Sequence, residues 1–362
     1  MKRYDVITIG GAMEDVFFEV DDFQMIENPK ILAGKKLLGF EYGSKVGVPA
    51  MQSSFGGGAN NAAIAFSRLG FRTAFMGVIG DDGRGEMMIK NLIQNEVSTR
   101  FLKIQKNMQT GVSFILVGPD NEHVAFTYRG ANSMLKIELK DKKKLEECKW
   151  LFVTSLTHEW RSSLKNIFNI NCHIAWNPGR VQLAEGCKTL APFLKKTDIF
   201  ICNHSEALTL TTSAKKVRDK LANLTTRPVA RSIELIYQPT NSPAKSIEML
   251  LKEIHSFGPK IVIITQGSKG AYAYDGKKIT FQSCIKITKP LNTAGVGDAF
   301  GSSFVAGMEL YKGNIKKALE LAAKNAASVV LCHHGAQEGL LSLSQVNTKL
   351  KASVKRSFVK KK

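Results

Sequence analysis

Short apolar runs alternate with stretches of helical periodicity along most of the chain. The apolar runs span residues 4–9, 73–79, 150–154, 173–176, 198–202 and 261–265, and most stop at a glycine or polar turn. Helical spacing of apolar residues marks 59–69, 84–97 and 302–310, and the first of these stops at Gly70. Because strands that alternate with helices form βαβ units, we expect an α/β fold with a mainly parallel sheet covered on both faces.

Two regions break this rhythm. Residues 16–54 contain no convincing helix, and residues 112–117 and 124–128 look like the two strands of a hairpin around 119–121. We expect these regions, about 16–54 and 110–130, to form a small β-sheet apart from the main one. Residues 213–246 look like a surface insertion. The expected organisation is one large domain over 1–350 and a basic tail over 351–362.

Composition narrows the class of protein. The 362 residues are 44% hydrophobic and 23% charged, which suits a folded domain with a large core. The formal net charge of +20 attracts anions, but no RNA- or DNA-binding motif accompanies it, so nucleic acid is not an expected partner. The six cysteines show neither a C-x-x-C pair nor zinc-ligand spacing. We find no signal peptide and no membrane-spanning run, and we expect a soluble cytoplasmic protein without a membrane partner.

The glycine-rich segment 292–301 carries the strongest chemical signal. Gly295, Val296 and Gly297 lead into a helix-like run, where free N–H groups and the helix dipole form an anion site. Such a site can stabilise a phosphoryl group in transfer, and the carboxylate of Asp298 beside it can accept the proton of an attacking hydroxyl. A glycine turn with Asp298 as a helix cap explains the same pattern, and the segment alone does not separate the two interpretations.

Three further segments have both a chemical and a structural explanation. In residues 56–63, three glycines and two asparagines could admit a ligand, although a flexible turn capped by Asn60 is favoured when the segment is taken alone. Asn203 and Glu206 form a capping-box pattern, which is again the favoured interpretation; in the alternative, Glu206 is an outer partner of hydrated Mg²⁺. In residues 265–270, glycines after an apolar strand admit a nucleotide or turn a hairpin.

Several well-known signatures are absent from the sequence. There is no G-x-x-x-x-G-K-[ST] for a Walker-type ATP site and no G-x-S-x-G for a hydrolase. The first predicted strand is not followed by G-x-G-x-x-G, so a dinucleotide site is not expected there.

Taken in order along the chain, the four segments resemble the ribokinase family, also called the PfkB carbohydrate kinase family. Residues 56–70 are similar to its first signature, G-G-x-x-x-N-x-A followed by R-L-G, and residues 292–300 are similar to its second, D-T-x-G-A-G-D-x-F. Further landmarks at 80–85, 130–132, 203–206 and 265–270 extend the resemblance over about 6–337. It implies a ribokinase-like three-layer αβα sandwich with a mainly parallel central sheet and a small β-sheet lid. It also implies an ATP-dependent carbohydrate kinase that uses Mg²⁺.

The resemblance assigns roles to individual residues. Asp298 would be the general base, and the anion hole would be formed by Gly295, Val296 and Gly297. The hydroxyl groups of the substrate would be bound by Asp15 and Asn61, with backbone access at Gly57 and Gly58. ATP and its Mg²⁺ would be held by Asn203, Glu206, Thr265, Gly267, Gly270 and Asn325, with Glu206 reaching the metal through water.

Departures from the family pattern leave the acceptor open. Asn292 stands where the family has aspartate and Gly339 replaces a possible hydroxyl ligand, so dependence on a monovalent cation is left open. Met13 stands where ribose-specific members have a polar substrate contact, and Thr157 stands where some members have a glutamate that contacts the sugar. Ribose is therefore not singled out as the substrate.

Other functions remain open at this stage. An adenosine-like nucleoside kinase of the same fold would need an apolar slot for the base, for which the candidates are Phe17, Phe18, Phe40 and Phe126. A non-catalytic binding protein is disfavoured because the predicted base and anion hole are intact. Lid strands in this family often pair between subunits, so a homodimer through the lid is a further expectation.

Overall fold

The computed structural model describes residues 2–20, 22–27, 36–118, 123–212, 245–288, 293–332 and 335–346. Its centre is an eight-stranded sheet, and three smaller sheets lie apart from it. The strands are β1 (Tyr4–Ile9), β2 (Met13–Glu19), β3 (Gln24–Glu27), β4 (Lys36–Gly39), β5 (Met51–Gly56), β6 (Thr73–Met76), β7 (Val78–Gly80), β8 (Lys103–Gln105), β9 (Gly111–Val117), β10 (His123–Tyr128), β11 (Cys148–Val153), β12 (His173–Trp176), β13 (Ile199–Asn203), β14 (Ile261–Thr265), β15 (Ala271–Tyr274) and β16 (Ile279–Gln282).

Helices connect most of the central strands. They are α1 (Gly58–Arg68), α2 (Gly83–Gln94), α3 (Lys142–Leu145), α4 (Trp160–Ile167), α5 (Arg180–Leu183), α6 (Gly186–Leu194), α7 (His204–Thr211), α8 (Ile247–His255), α9 (Val296–Leu310), α10 (Ile315–Val330), α11 (Gly335–Glu338) and α12 (Leu343–Val346). None of the helices in the described ranges has both the length and the apolar character needed to cross a bilayer.

The central sheet has the strand order β16-β15-β14-β13-β12-β11-β1-β6. The six strands from β14 to β6 pair in parallel, and β15 and β16 add an antiparallel edge. Successive residues of each strand enter different cores: Ile7 packs with helices α4, α6 and α8, whereas Val6 packs with α1, α9 and α10. Because both sheet faces are covered, the buried residues of these strands are mainly apolar, as is typical of parallel sheets. The predicted α/β class with a mainly parallel central sheet is confirmed.

A separate four-stranded sheet, called the small sheet below, has the order β10-β9-β2-β5. The predicted hairpin is confirmed, since β9 and β10 pair antiparallel with Phe126 opposite Phe114. Strand β2 pairs with β9 and β5, and it places Asp15 between Ser113 and Ser54. Side chains alternate along a strand, so Asp15 and Phe17 lie on one face of the small sheet and residues such as Phe114 lie on the other.

Buried hydrogen bonds attach the small sheet to the central one. The amide of Asn132 accepts from the backbone nitrogen of Ala12 at 2.9 Å and donates to the Ala12 carbonyl at 2.7 Å. Ala12 lies between β1 and β2, so this pair fixes the point where the chain leaves one sheet for the other. A neutral amide that satisfies both groups of one residue avoids the cost of burying them unpaired.

Some sequence expectations differ from the structure. The run 73–79 splits at Gly77 into β6, which joins the central sheet, and β7, which pairs with β8. Helix α9 begins at Val296 rather than near Ser302, because the small residues before Ser302 are themselves helical. The basic tail, the hairpin turn 119–121, Asn292 and all but the last two residues of the insertion lie outside the described residues.

The contact between α9 and α10 gives a test of the packing. A Cβ atom at Gly307 would lie 2.7 Å from the Cα atom of Ala318, inside van der Waals contact. We therefore expect Gly307→Ala to lower the free energy of unfolding by about 1–3 kcal/mol, despite the better helix propensity of alanine. Gly83→Ala is the matched control, since Gly83 begins α2 and has open space around its Cα atom. Equal midpoints of the two variants in urea unfolding would contradict this prediction.

Candidate active site

Asp298 lies in the first turn of α9, with Gly295 as the N-cap residue. Gly295 has φ of 71°, and a Cβ atom there would lie 2.0 Å from the Cβ atom of Ala336, so only glycine fits this turn. The helix start has no side-chain cap. The interpretation of Asp298 as a capping residue is therefore wrong, and its carboxylate is left for other contacts.

A second helix begins beside the same carboxylate. Helix α1 starts at Gly58 after Gly57, which has φ of 95°. A Cβ atom at Gly58 would lie 3.2 Å from Oδ1 of Asp298, and one at Gly297 would meet nothing within 4 Å. The N-termini of α1 and α9 thus both lie next to Asp298, and the glycines there leave the backbone N–H groups uncovered by side chains. The proposed cap of this segment was wrong: Asn60 lies inside α1, is buried, and donates to the Gly56 carbonyl at 3.1 Å.

Asn61 holds the carboxylate of Asp298 directly. Its Nδ2 atom donates to Oδ2 of Asp298 at 2.9 Å. Burial raises the pKa of Asp298, and the hydrogen bond from Asn61 opposes that rise. The amide therefore favours the ionised carboxylate, which is the form that can accept a proton.

Asp15 brings a second carboxyl group to this site from the small sheet. It is 8% exposed. Burial, with smaller contributions from the charges of Asp298 and Glu14, raises the pKa of Asp15 to about 7. A Cβ atom at Gly56 would lie 1.8 Å from Oδ2 of Asp15, so the glycine leaves room for this side chain. Both carboxyl groups can accept hydrogen bonds from the hydroxyl groups of a ligand.

The carboxyl ends of β13 and β14 form the neighbouring part of the site. Asn203 and Thr265 are directly paired across these two parallel strands. The capping box predicted for α7 is confirmed: Oδ1 of Asn203 accepts from the Glu206 nitrogen at 2.9 Å, and Oε2 of Glu206 accepts from the Asn203 nitrogen at 2.8 Å. Burial raises the pKa of Glu206, and the charge of Asp298 adds to that rise. The carboxylate of Glu206 is thus within electrostatic reach of Asp298.

Residues 265–270 form a hairpin turn between β14 and β15, which was one of the two interpretations of this segment. Gly267 is exposed, and a Cβ atom there would meet nothing within 4 Å. Gly270 has φ of 108°, and a Cβ atom there would lie 2.3 Å from the Gln282 carbonyl oxygen. The turn sits at the edge where open α/β sheets bind ligands, so its geometry is compatible with both interpretations.

Asn325 does not lie where a nucleotide could contact it. The side chain is fully buried, its Nδ2 atom donates to Ser303 Oγ at 2.7 Å, and its Oδ1 atom accepts from the Leu341 nitrogen at 2.9 Å. Both ends of the Asn325 amide are therefore hydrogen-bonded to other residues of the protein. The structure therefore corrects the expectation for Asn325, whose role is to hold the chain after α11 against α9 and α10.

Some polar residues of the site region were given no role by the sequence. Gln337 donates from Nε2 to Oδ1 of Asn61 at 3.0 Å. Arg68 donates from Nη1 to the carbonyl of Gln337 at 2.7 Å and to that of Leu340 at 3.0 Å. A single glutamine late in the chain gives no local signal, because its partner Asn61 lies 276 positions earlier.

The chain is similar to known proteins in both sequence and fold. A model described as the pfkB family carbohydrate kinase matches residues 31–342. The ATP-dependent 6-phosphofructokinase of Thermoanaerobacterium thermosaccharolyticum is 25% identical over 328 residues, which cover 88% of this chain and 86% of that protein. Among solved structures, Arabidopsis thaliana ribokinase complexed with ribose and ATP superposes with a TM-score of 0.71 at 19% identity, covering 95% of this chain and 97% of that one. A Burkholderia thailandensis nucleoside kinase in complex with inosine superposes with a TM-score of 0.70 at 16% identity, and the match covers 98% of each chain.

The environment of Asp15 predicts a pH-dependent stability. Its pKa of about 7 in the folded protein lies above the ordinary value of 3.8, so the folded state loses stability as pH rises between these values. Asparagine does not ionise, so the Asp15→Asn variant does not have to bury a charge at high pH. We expect the melting temperature of this variant, relative to the wild type, to increase from pH 5 to pH 8. A difference that stays constant over that range would contradict the assigned environment.

Proposed function

The chain belongs to the PfkB family of carbohydrate kinases, and from that premise we propose that it transfers the γ-phosphate of ATP to a hydroxyl group of a small carbohydrate, with Asp298 as the general base. Enzymes of this family are ATP-dependent kinases, and the resemblance seen in the sequence is confirmed. The identity of the acceptor and the roles of the individual residues are our proposal.

The observation that carries the proposal is the position of Asp298. Its carboxylate is not used as a helix cap, it is held by Asn61, and its Oδ1 atom lies beside Gly58 at the start of α1. In phosphoryl transfer the protein mainly positions the reactants and stabilises negative charge on the transferred group. We assign proton acceptance to Asp298 and charge stabilisation to the N–H groups of residues 295–297 at the start of α9.

The acceptor would lie between the two sheets. Asp15 and Asn61 would bind its hydroxyl groups, and Gly57 and Gly58 would allow its approach to the backbone. Asn61 already uses its oxygen for Gln337 and one N–H for Asp298, so one N–H remains for the substrate. In this proposal the small sheet acts as a lid that excludes water from the reacting groups.

ATP would extend along the carboxyl ends of β13 and β14. Asn203, Thr265, Gly267 and Gly270 would line it there. Among the described residues no group of three or more His, Cys, Asp or Glu side chains could hold a metal ion as a protein cage. Mg²⁺ fits the acids that are present, because it keeps several waters and binds through one or two carboxylates together with substrate phosphates. Glu206 would reach such an ion through water, and the ion would neutralise charge on the phosphates.

A nucleoside is the second candidate for the acceptor. Of the four phenylalanines considered for a base slot, Phe17 is on the face of the small sheet that carries Asp15, whereas Phe18 and Phe126 are on the opposite face. Phe17 is thus the aromatic residue best placed to contact a base. A non-catalytic role fits less well, because the predicted base and anion hole keep a geometry suited to chemistry.

The first experiment is ADP release from Mg-ATP with a panel of acceptors. The panel contains ribose, fructose, other hexoses, phosphorylated sugars and nucleosides, each with and without K⁺. A carbohydrate as the best acceptor supports the leading proposal, and a nucleoside as the best acceptor supports the second. No turnover with any acceptor, while ATP still binds in calorimetry, would count against both.

Asp298→Asn tests the proposed base. We expect kcat to fall by about 10²–10⁴-fold, because the amide cannot accept the proton, while the KM for ATP changes little. Asp275→Asn is the control, since Asp275 lies in the turn after β15 and accepts hydrogen bonds from the Lys277 and Lys278 nitrogens. A kcat for Asp298→Asn near that of the control would remove Asp298 from the mechanism.

The outer face of the small sheet suggests a homodimer. Phe126 and Phe114 form a direct cross-strand pair there and are 57% and 43% exposed. Exposed apolar patches of this kind mark association sites. We expect a dimer in light scattering at micromolar concentration and a shift to monomer in Phe126→Asp. Leu139→Asp, at a site 76% exposed outside the small sheet, should have no effect. A monomeric wild type would refute this part of the proposal.

The cysteines support a reducing environment. All six are free thiols, and burial raises the pKa of Cys202 well above its ordinary value. Free buried thiols are typical of cytosolic proteins. We therefore include a cytoplasmic location in the proposal.

A further inference from the structure

A continuous series of side-chain hydrogen bonds joins Asp298 to Arg68. The intermediate groups are four amides, two of them on or just after α2. The successive donor–acceptor distances, starting at the guanidinium, are Arg68 Nε to Asn95 Oδ1 3.1 Å, Asn95 Nδ2 to Asn91 Oδ1 3.3 Å, Asn91 Nδ2 to Gln337 Oε1 2.9 Å, Gln337 Nε2 to Asn61 Oδ1 3.0 Å and Asn61 Nδ2 to Asp298 Oδ2 2.9 Å. We call this series the amide relay.

The two ends of the amide relay fix its direction. A guanidinium group can only donate hydrogen bonds, and an ionised carboxylate can only accept them. The series is satisfied when each amide turns its oxygen toward Arg68 and its nitrogen toward Asp298. Asn95 Nδ2 also donates to the Asn91 backbone carbonyl at 2.8 Å. The observed bonds all run in that direction. An amide turned the other way would place two oxygens or two N–H groups against each other.

Gln337 is the central member of the relay and is held firmly in place. It is 8% exposed, and its neighbour Asn61 is 4% exposed, so neither amide can exchange its partner for bulk water at low cost. Arg68 binds the backbone carbonyls of Gln337 and Leu340, which fixes the turn that contains α11. Ala336, the residue before Gln337, occupies the space that a Cβ atom on Gly295 would need.

We infer that Gln337 is a positioning residue for the phosphoryl-transfer site: by donating to Asn61 it holds the Asn61 amide with its nitrogen toward Asp298. This inference rests on the proposed function, in which Asp298 must be ionised to act as base. Asp15 on β2 and Glu206 on α7 are acids within electrostatic reach of Asp298, so their charges oppose that ionisation. Arg180, at the start of α5, lowers the pKa of Glu206. Asn61 is the group that lowers the pKa of Asp298 against burial. Its orientation therefore favours the ionised form of the proposed base.

Gln337→Glu tests the direction of the relay with almost no change of shape. A protonated glutamic acid has a carbonyl that can accept from Asn91 and an O–H that can donate to Asn61, as the glutamine does. An ionised glutamate can only accept, and it would face the Asn61 oxygen. Burial, this repulsion and the neighbouring acid Glu338 should raise the pKa of the new carboxyl group, and the Arg68 guanidinium, which binds the Gln337 carbonyl, opposes that rise. When it ionises, Asn61 is driven to turn its nitrogen toward residue 337 and its oxygen toward Asp298.

The expected kinetic result is an altered pH profile. Relative to the wild type, kcat of Gln337→Glu should be within about threefold at low pH and should fall by roughly tenfold or more as the pH rises and residue 337 ionises. A simple charge effect predicts the opposite sign. A permanently ionised glutamate would only raise the pKa of Asp298, so the variant would be most impaired at low pH and would recover at high pH.

The second readout does not depend on any acceptor. A glutamic acid whose folded-state pKa exceeds the unfolded value of about 4.3 stabilises the fold below that value, and this stability is lost as pH rises toward the folded pKa. The melting temperature of Gln337→Glu, relative to the wild type, should therefore decrease from pH 5 to pH 8. If no acceptor is phosphorylated by the wild type, the proposed function fails. A melting-temperature difference that stays constant from pH 5 to pH 8 separately overturns the relay.

Two control variants complete the experiment. Gln94→Glu makes the same substitution at an exposed position of α2 outside the relay, and its kcat ratio and melting-temperature difference should not vary with pH. Gln337→Leu removes both hydrogen bonds without adding an ionisable group, so its kcat should be reduced at every pH with an unchanged KM for ATP. The inference is overturned if Gln337→Glu follows the wild-type pH profile or recovers at high pH.

Discussion

The hydrogen bond between Asn61 and Asp298 is the contact on which the site depends. Burial makes a charged carboxylate costly, and a carboxyl group has to be ionised before it can accept a proton in the role proposed for Asp298. One amide N–H opposes that cost at 2.9 Å. The glycines at the starts of α1 and α9 are needed around it, because a side chain at Gly58 or Gly295 would occupy space next to Asp298 or against Ala336. The geometry of both helix starts follows from keeping this carboxylate reachable and ionised.

The two sheets give the site its asymmetry. The central sheet ends beneath the helix N-termini, which favour negative charge, whereas the small sheet brings a second acid from the opposite side. The buried pair between Asn132 and Ala12 fixes where the chain passes from one sheet to the other. Asp15 is thereby held in a poorly solvated position, and its pKa rises to about 7. Asp15 and Asp298 are both carboxyl groups, but the hydrogen bond from Asn61 opposes the effect of burial on the pKa of Asp298, whereas neighbouring acids add to it at Asp15, so their environments suit different tasks.

Polar residues far from the opening also contribute to the site. The family-signature residue Arg68 lies at the last position of α1, where it binds carbonyls of the segment that carries Gln337. Asp82 similarly caps α2 and accepts from Thr110, so the landmark around 80–85 acts through the scaffold. Such residues are part of the recognisable pattern because the position of the reacting groups depends on them, although they lie away from the substrate.

The sequence by itself determined the fold class and the family, and it predicted where the chemistry would lie. Apolar strands that alternate with helices require a covered parallel sheet, and glycines before Asp298 require a helix start open to an anion. Local pattern could not decide whether Asp298 or Asn60 was a cap, nor that Asn325 is enclosed between helices, since capping and binding use the same residue types. Only the tertiary structure brought Asn61, Asp298 and Gln337 together. Their partnership depends on three distant segments meeting in space, and hydrogen bonds between such segments leave no periodic trace in the chain.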